Sequence, residues 1–364
     1  MTSILAGVGD LTGYGLDAVV AEALVAYLPR LVEETAATGI VLGGSRAFGL
    51  GNRYSDIDLV ALLDRAPDRP VVPPPIADHS VHVSGMTPAD VAAVADRFRI
   101  EHLPATSLTP TASRLVQSTR TFLELTDGPV LHGAEAVAAV RAGLPRDGVG
   151  ALVVESHAAL QGGVHRDAAG ALASGDWATA VEATLIALDY AVQAAVAVHD
   201  DLYVPRKFLA RRAQRHDAAL FATFTGTRAE LVSAGASGDT AADAVSRTLR
   251  RAAGISAGAL LGWHPPDPVA APGSLVRSAW HCVARYTDGY LITGATDNPV
   301  TRAGAEVWLA HDGRATGDVV ALLTERWQRP VDTVRAVVEA AAGQLAVAGL
   351  LAPDVVASRV PQEA

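Results

Sequence analysis

The chain has 364 residues, half of them hydrophobic and 19% charged, the balance of a globular protein rather than a disordered or fibrous one. Its formal charge of −10, with 29 Lys and Arg against 39 Asp and Glu, disfavours general nucleic-acid binding, because phosphate contacts need clustered cations. A single cysteine, Cys282, rules out an internal disulfide, and no uninterrupted apolar run of about 20 residues or basic, signal-like start is seen, so the expected location is cytoplasmic with no membrane partner.

In chain order, apolar residues at three- and four-residue spacing predict an amphipathic helix from Leu16 to about Ala37. Ile40 to Leu42, closed by Gly43-Gly44, reads as a buried strand turning sharply into a short helix, and Asp56 to Leu63 as a second strand. The proline-rich Arg65 to Pro75 is a connection, His79 to Ser84 a third strand, and Thr87-Pro88 the cap and first turn of a helix. A helix from Pro110 to about Leu125 leads to a last strand within Gly128 to Gly133. From Gly148 the texture becomes Ala-rich and helical: Val149 to Ala173, Asp176 to His199, Lys207 to His216, and on to about Leu261. Three prolines in Pro265 to Pro268 mark a linker, Asp288-Gly289 a hairpin, and Thr316 to Trp327 and Val331 to Ala348 two closing helices.

The chemistry concentrates in Gly43 to Leu63, GGSRAFGLGNRYSDIDLVALL. Asp56 and Asp58 are one residue apart in an expected strand, so both carboxylates leave one face while Ile57 and Leu59 enter the core. Two like charges side by side repel, a cost that makes sense if a divalent cation of the Mg²⁺ or Mn²⁺ kind sits between them. Gly44-Ser45 lies at a strand-to-helix turn, where the missing Cβ permits close approach and free backbone N–H groups can hold phosphate. An anion cradle and a metal pair in one segment suggest a nucleoside triphosphate bridging them.

Strand, Gly-Ser, short helix and Asp-x-Asp on the next strand resemble the nucleotidyltransferase superfamily of DNA polymerase beta type, and within it the small aminoglycoside and lincosamide nucleotidyltransferases. The resemblance implies Gly44, Ser45 and the neighbouring Arg46 on the triphosphate, Asp56 and Asp58 as catalytic metal ligands, and ATP with Mg²⁺ as substrate and ion. The family's third carboxylate falls at His82, an imidazole that could ligate a softer metal or accept a proton from the acceptor hydroxyl. Tyr203-Val204-Pro205-Arg206-Lys207 in the helical segment resembles the Tyr-x-Pro-x-Lys turn of the same enzymes, which implies Lys207, the one lysine of the chain, and Arg206 on phosphate. Glu155, Glu182 and Asp189 on the long helices are candidate general bases.

The run WLAHDGRATGDVVALLTERW and the helix after it resemble the PqqD-like winged-helix domain, which implies binding of a leader peptide along a hairpin edge. From Pro266 onward 8 Arg face 11 Asp and Glu, which argues against a DNA-binding winged helix. The expectation is an α+β multidomain chain: a small mixed-sheet nucleotidyltransferase domain over 1–137, an α-helical bundle over 148–264 and a winged helix over 270–358. It is expected to move a nucleotidyl group, AMP from ATP, to an acceptor hydroxyl such as one on a ribosomally made precursor peptide. An aminoglycoside-like acceptor and a non-catalytic nucleotide-binding role are the alternatives.

Overall fold

The computed structural model describes residues 8–67, 72–234, 238–267 and 271–353. Residues 68–71 of the proline-rich connection, Pro268 of the linker, and everything from 354, including the end of the expected C-terminal domain, lie outside the described residues. The chain divides into two compact units, one of residues 1–100 and 117–149, the other of residues 101–116 and 150–364.

In the first unit a 3-10 turn, Val8–Tyr14, precedes α1 (Ala18–Thr35), whose start is capped by the Asp17 carboxylate accepting the Val20 N–H. Its buried stripe of Val20, Leu24, Leu28 and Leu31 packs on β1 (Gly39–Leu42) and β2 (Ile57–Leu62), which are joined through the one-turn helix α2 (Gly44–Ala47). β3 (Val81–Met86) lies parallel to β2 and is followed by α3 (Pro88–Arg97), where Thr87 and Asp90 form a reciprocal capping box. α4 (Leu108–Asp127), through which the division between the units passes, leads to β4 (Val130–His132) and α5 (Ala134–Gly143). The sheet order is β3-β2-β1-β4, with β1 antiparallel to both β2 and β4, so the small mixed sheet is as expected. α5 was not anticipated: Ala134 to Gly143 is short, and its single buried residue, Val137, gives almost no apolar period.

Two strand starts differ from the sequence reading. β2 begins at Ile57, leaving Asp56 just outside it, and β3 begins at Val81 because Ala77 and Asp78, both at positive φ, make a tight turn closed by Ile76 and His79. Asp78 therefore lies in that turn and not in β3.

In the second unit α6 (Val149–Ala173), α7 (Trp177–Ala197) and α10 (Gly238–Leu261) are the long helices, with α8 (Leu209–His216) and α9 (Ala218–Ser233) beside them. α7 is apolar and long enough to cross a membrane by composition, yet 72% of its most apolar window is buried inside the protein, as befits a core helix. β5 (Leu275–Arg277) pairs with β9 (Leu351–Pro353). The hairpin of β6 (His281–Tyr286) and β7 (Gly289–Gly294) is extended by β8 (Asn298–Val300), then α11 (Arg302–Ala310), α12 (Thr316–Trp327) and α13 (Val331–Val347) follow. One apolar core joins Ala253, Ala257 and Leu261 of α10 to Cys282, Val283 and Ile292 of the sheet and to Trp308 of α11. The bundle and the C-terminal segment thus share buried surface across the proline linker.

Candidate functional site

Ile57 and Leu59, 0% and 1% exposed, fix β2 against the core, and alternation turns Asp58 to the opposite face. The register sets His82 of β3 beside Asp58, and the His82 Nε2 lies 3.8 Å from Asp56 Oδ2. Asp56, Asp58 and His82 are therefore brought together. Asp56 and His82 are more than half exposed, whereas the Asp58 side chain is 26% exposed.

Gly44 adopts φ 63°, and a Cβ there would stand 1.8 Å from Asp58 Oδ2, so glycine is required both by backbone conformation and by the carboxylate lying against it. Its N–H donates to Glu124 Oε1 at 2.9 Å. The amide expected to face phosphate is thus directed to a carboxylate of α4. Ser45 follows it on α2, mostly buried.

Arg46, expected on the triphosphate, is instead turned into the protein. It is 1% exposed, and its guanidinium donates to the carbonyls of Gly15 (2.5 Å), Ser55 (2.7 Å) and Asp56 (3.2 Å) and to Nδ1 of His79 (3.3 Å). A delocalised fork of donors suits this cluster of backbone acceptors, and it holds the loop that delivers Asp56.

The residues that sequence reasoning missed are Arg120 and Glu124. On α4 they form an i, i+4 pair, Nε to Oε1 at 2.8 Å, and Arg120 Nη2 reaches Asp58 Oδ1 at 3.2 Å. Glu124 is 5% exposed and joins this arginine to the Gly44 turn. The i, i+4 spacing is visible in the sequence, but more than 60 residues separate the pair from Asp58, and nothing local distinguishes them from a solvated helix pair.

Among the described residues no group of three or more His, Cys, Asp or Glu converges in a metal-holding arrangement. The donor set offered is two carboxylates with an imidazole beside them. That suits Mg²⁺, which keeps several waters and is held through one or two carboxylates plus substrate phosphates.

Arg206 and Lys207 belong to the second unit. Arg206 pairs with Asp189 at 2.7 Å, and Asp189 also pairs with Arg228 at 2.8 Å, while the Lys207 ammonium lies 5.0 Å from the Phe208 ring centroid. Of the candidate bases, Asp189 is thus a buried ion-pair centre and Glu182 an exposed helix acid. Glu155 is 1% exposed and belongs to a closed ring. His102 Nδ1 meets its Oε1 at 2.8 Å, Arg285 Nη2 donates to His102 Nε2 at 3.1 Å, and Arg285 Nε is 3.5 Å from the same carboxylate. Arginine can only donate, so the ring closes with His102 carrying its proton on Nδ1. Burial raises the Glu155 pKa, opposed by His102 and Arg285. A cavity of about 260 Å³ opens beside Glu155, Arg285 and Asp200.

The family model described as nucleotidyltransferase domain matches residues 25–103. Residues 25–103, most of them in the first unit, are thus similar to a nucleotidyltransferase domain. The match takes in Gly44, Ser45, Asp56, Asp58 and His82 and stops short of Arg120 and Glu124. Such a domain supports nucleotidyl transfer in general and implies a nucleoside triphosphate substrate. No curated protein and no solved structure matches the chain.

Proposed function

We propose that the protein transfers a nucleotidyl group, AMP from ATP, to an acceptor hydroxyl, with Asp56 and Asp58 as the metal-holding pair. The observation that carries this reading is the Asp58 carboxylate lying against the Gly44 turn, with Asp56 two residues before it and 3.8 Å from the neighbouring His82, within residues that match a nucleotidyltransferase domain model. Attack of the hydroxyl oxygen on the α-phosphorus would form the new ester bond and break the bond to pyrophosphate. A divalent cation between the carboxylates would screen the phosphates and the developing charge. The chain's own part is positional: Gly44 admits the Asp58 carboxylate, Arg46 fixes the loop before Asp56, and in this reading His82, 3.8 Å from Asp56, receives the hydroxyl proton.

The acceptor we favour is a precursor peptide held by the three-stranded sheet and helices of residues 271–353. The support is the sequence resemblance and the order of a small antiparallel sheet followed by α11, α12 and α13. Pro299 in the edge strand β8 lacks an N–H, so that edge offers one donor fewer to an added strand. One observation favours a second reading, a nucleotide-binding protein without transfer: the position of the family's third carboxylate is occupied by His82.

Incubation with ATP labelled at the α-phosphate, Mg²⁺ and peptides encoded beside the gene tests both readings. Label on an acceptor with pyrophosphate released in equal amount supports transfer. ATP binding with no release of pyrophosphate under any acceptor supports the second reading.

A further inference from the structure

At the Gly44 turn stand two carboxylates, Asp58 and Glu124, with Asp56 two residues before the first, and the Arg120 guanidinium is bonded to both Asp58 and Glu124. A triphosphate brought to this turn would meet a net negative surface unless a cation, bound or covalent, faced it. Arg120 is built for that exchange. Its Nε is tied to the buried Glu124, which the Gly44 N–H also holds, while Nη2 rests on Asp58 and the side chain is 43% exposed. The guanidinium can pivot on its Nε bond and release Asp58 without leaving the site. Asp58 is in turn constrained: Oδ2 lies against the Gly44 Cα and Oδ1 meets Arg120. A divalent cation and a guanidinium on the same carboxylate repel one another, so both cannot be held there at full strength.

We propose that Arg120 competes with the cation for Asp58 and, once displaced, binds the phosphate oxygens of the nucleotide, so that cation and triphosphate bind as a coupled pair. The proposal rests on the reading of Asp56 and Asp58 as the metal pair. A forked donor suits phosphate oxygens as well as it suits carboxylate, so the displaced guanidinium recovers its bonds. The coupling follows from this: each ligand removes an obstacle to the other, the cation by freeing Arg120 and the phosphates by retaining it.

The test compares Mn²⁺ alone, and ATP in the presence of Mn²⁺, by calorimetry on the full chain, with wild type, Arg120→Ala and Arg120→Lys. Arg120→Ala should bind Mn²⁺ alone about tenfold more tightly and Mn²⁺-ATP about tenfold more weakly. Arg120→Lys keeps a charge for Glu124, and so protects the fold, but loses the two-ended bridge. It should shift both affinities in the same opposed directions by a few fold. Two changes of the same sign, or a folded Arg120→Ala indistinguishable from wild type, would overturn the proposal while leaving the metal pair intact. Wild type binding neither Mn²⁺ nor ATP would overturn the metal-pair reading and the proposal together.

Discussion

The two units each contain a cluster of carboxylate, arginine and histidine, and the clusters are built in opposite ways. Asp56 and His82 in the first unit are more than half exposed, 3.8 Å apart, and Asp58, 26% exposed, pairs with Arg120 through Oδ1. Glu155 in the second unit is 1% exposed and closed into a ring with His102 and Arg285. A cluster with charge left to satisfy can take a ligand, whereas a closed ring has spent its hydrogen-bonding capacity on itself and chiefly stabilises the fold.

The largest effect is expected in the open cluster. Asp56→Asn with Asp58→Asn should reduce transfer at least about thousandfold, since the metal pair and its charge stabilisation are lost together. The melting temperature should hold or rise, because two repelling carboxylates are removed. A double variant that kept its activity would remove these residues from the chemistry.

Acid should separate the units next. Burial lowers the pKa of His157 and His165 to about 3 and of His281 to about 4, and it also lowers those of His264 and His311. All five lie in the second unit. A histidine depressed in the folded state binds its proton first in the unfolded chain, so its contribution is intact above about pH 6.5. It falls by about 1.4 kcal/mol per pH unit for each group as pH drops towards the folded value. Glu155, shifted upward, works the other way: the cost of keeping it ionised fades as pH falls. Five groups against one predict that the second unit loses hydrogen-exchange protection between pH 6.5 and 4, while β1 and β2 keep theirs.

Breaking the ring is a smaller change. Glu155→Ala leaves His102 and Arg285 without their shared acceptor and should cost about 3 kcal/mol in urea unfolding, with nucleotide affinity unchanged. A large loss of nucleotide affinity without loss of stability would instead give Glu155 a role in the reaction. The smallest effect is at His82, where His82→Asp should tighten Mn²⁺ binding a few fold by adding a third oxygen donor beside Asp56 and Asp58. An unchanged affinity would mean that His82 only packs and hydrogen-bonds.

The open cluster was legible in the sequence because its parts are close along the chain. Gly44, Asp56 and Asp58 fall within 15 residues, and strand parity alone places both carboxylates on one face. The Thr87 cap just after the strand carrying His82 was likewise legible, and its capping box is present. Arg46 was misread because a motif neighbour of Gly-Ser looks like a phosphate ligand, whereas the backbone carbonyls that claim it are defined only once the loop has folded. Arg120 and Glu124 were missed because their partners lie more than 60 residues away. The His102–Glu155–Arg285 ring spans 183 residues of sequence and left no periodic signature at all. The hairpin at Asp288-Gly289 and the helices α6 and α12 were read to the residue or nearly so, since turn chemistry and helical period are local.

The central claim is that Asp56 and Asp58 hold a metal-bridged nucleoside triphosphate, and calorimetric titration of ATP with and without Mg²⁺ tests it most directly. Wild type should bind ATP well only when Mg²⁺ is present, and the Asp56→Asn, Asp58→Asn double variant should show the same weak binding with and without the ion. Equal affinity in wild type and double variant, or wild-type binding that ignores Mg²⁺, would contradict the account.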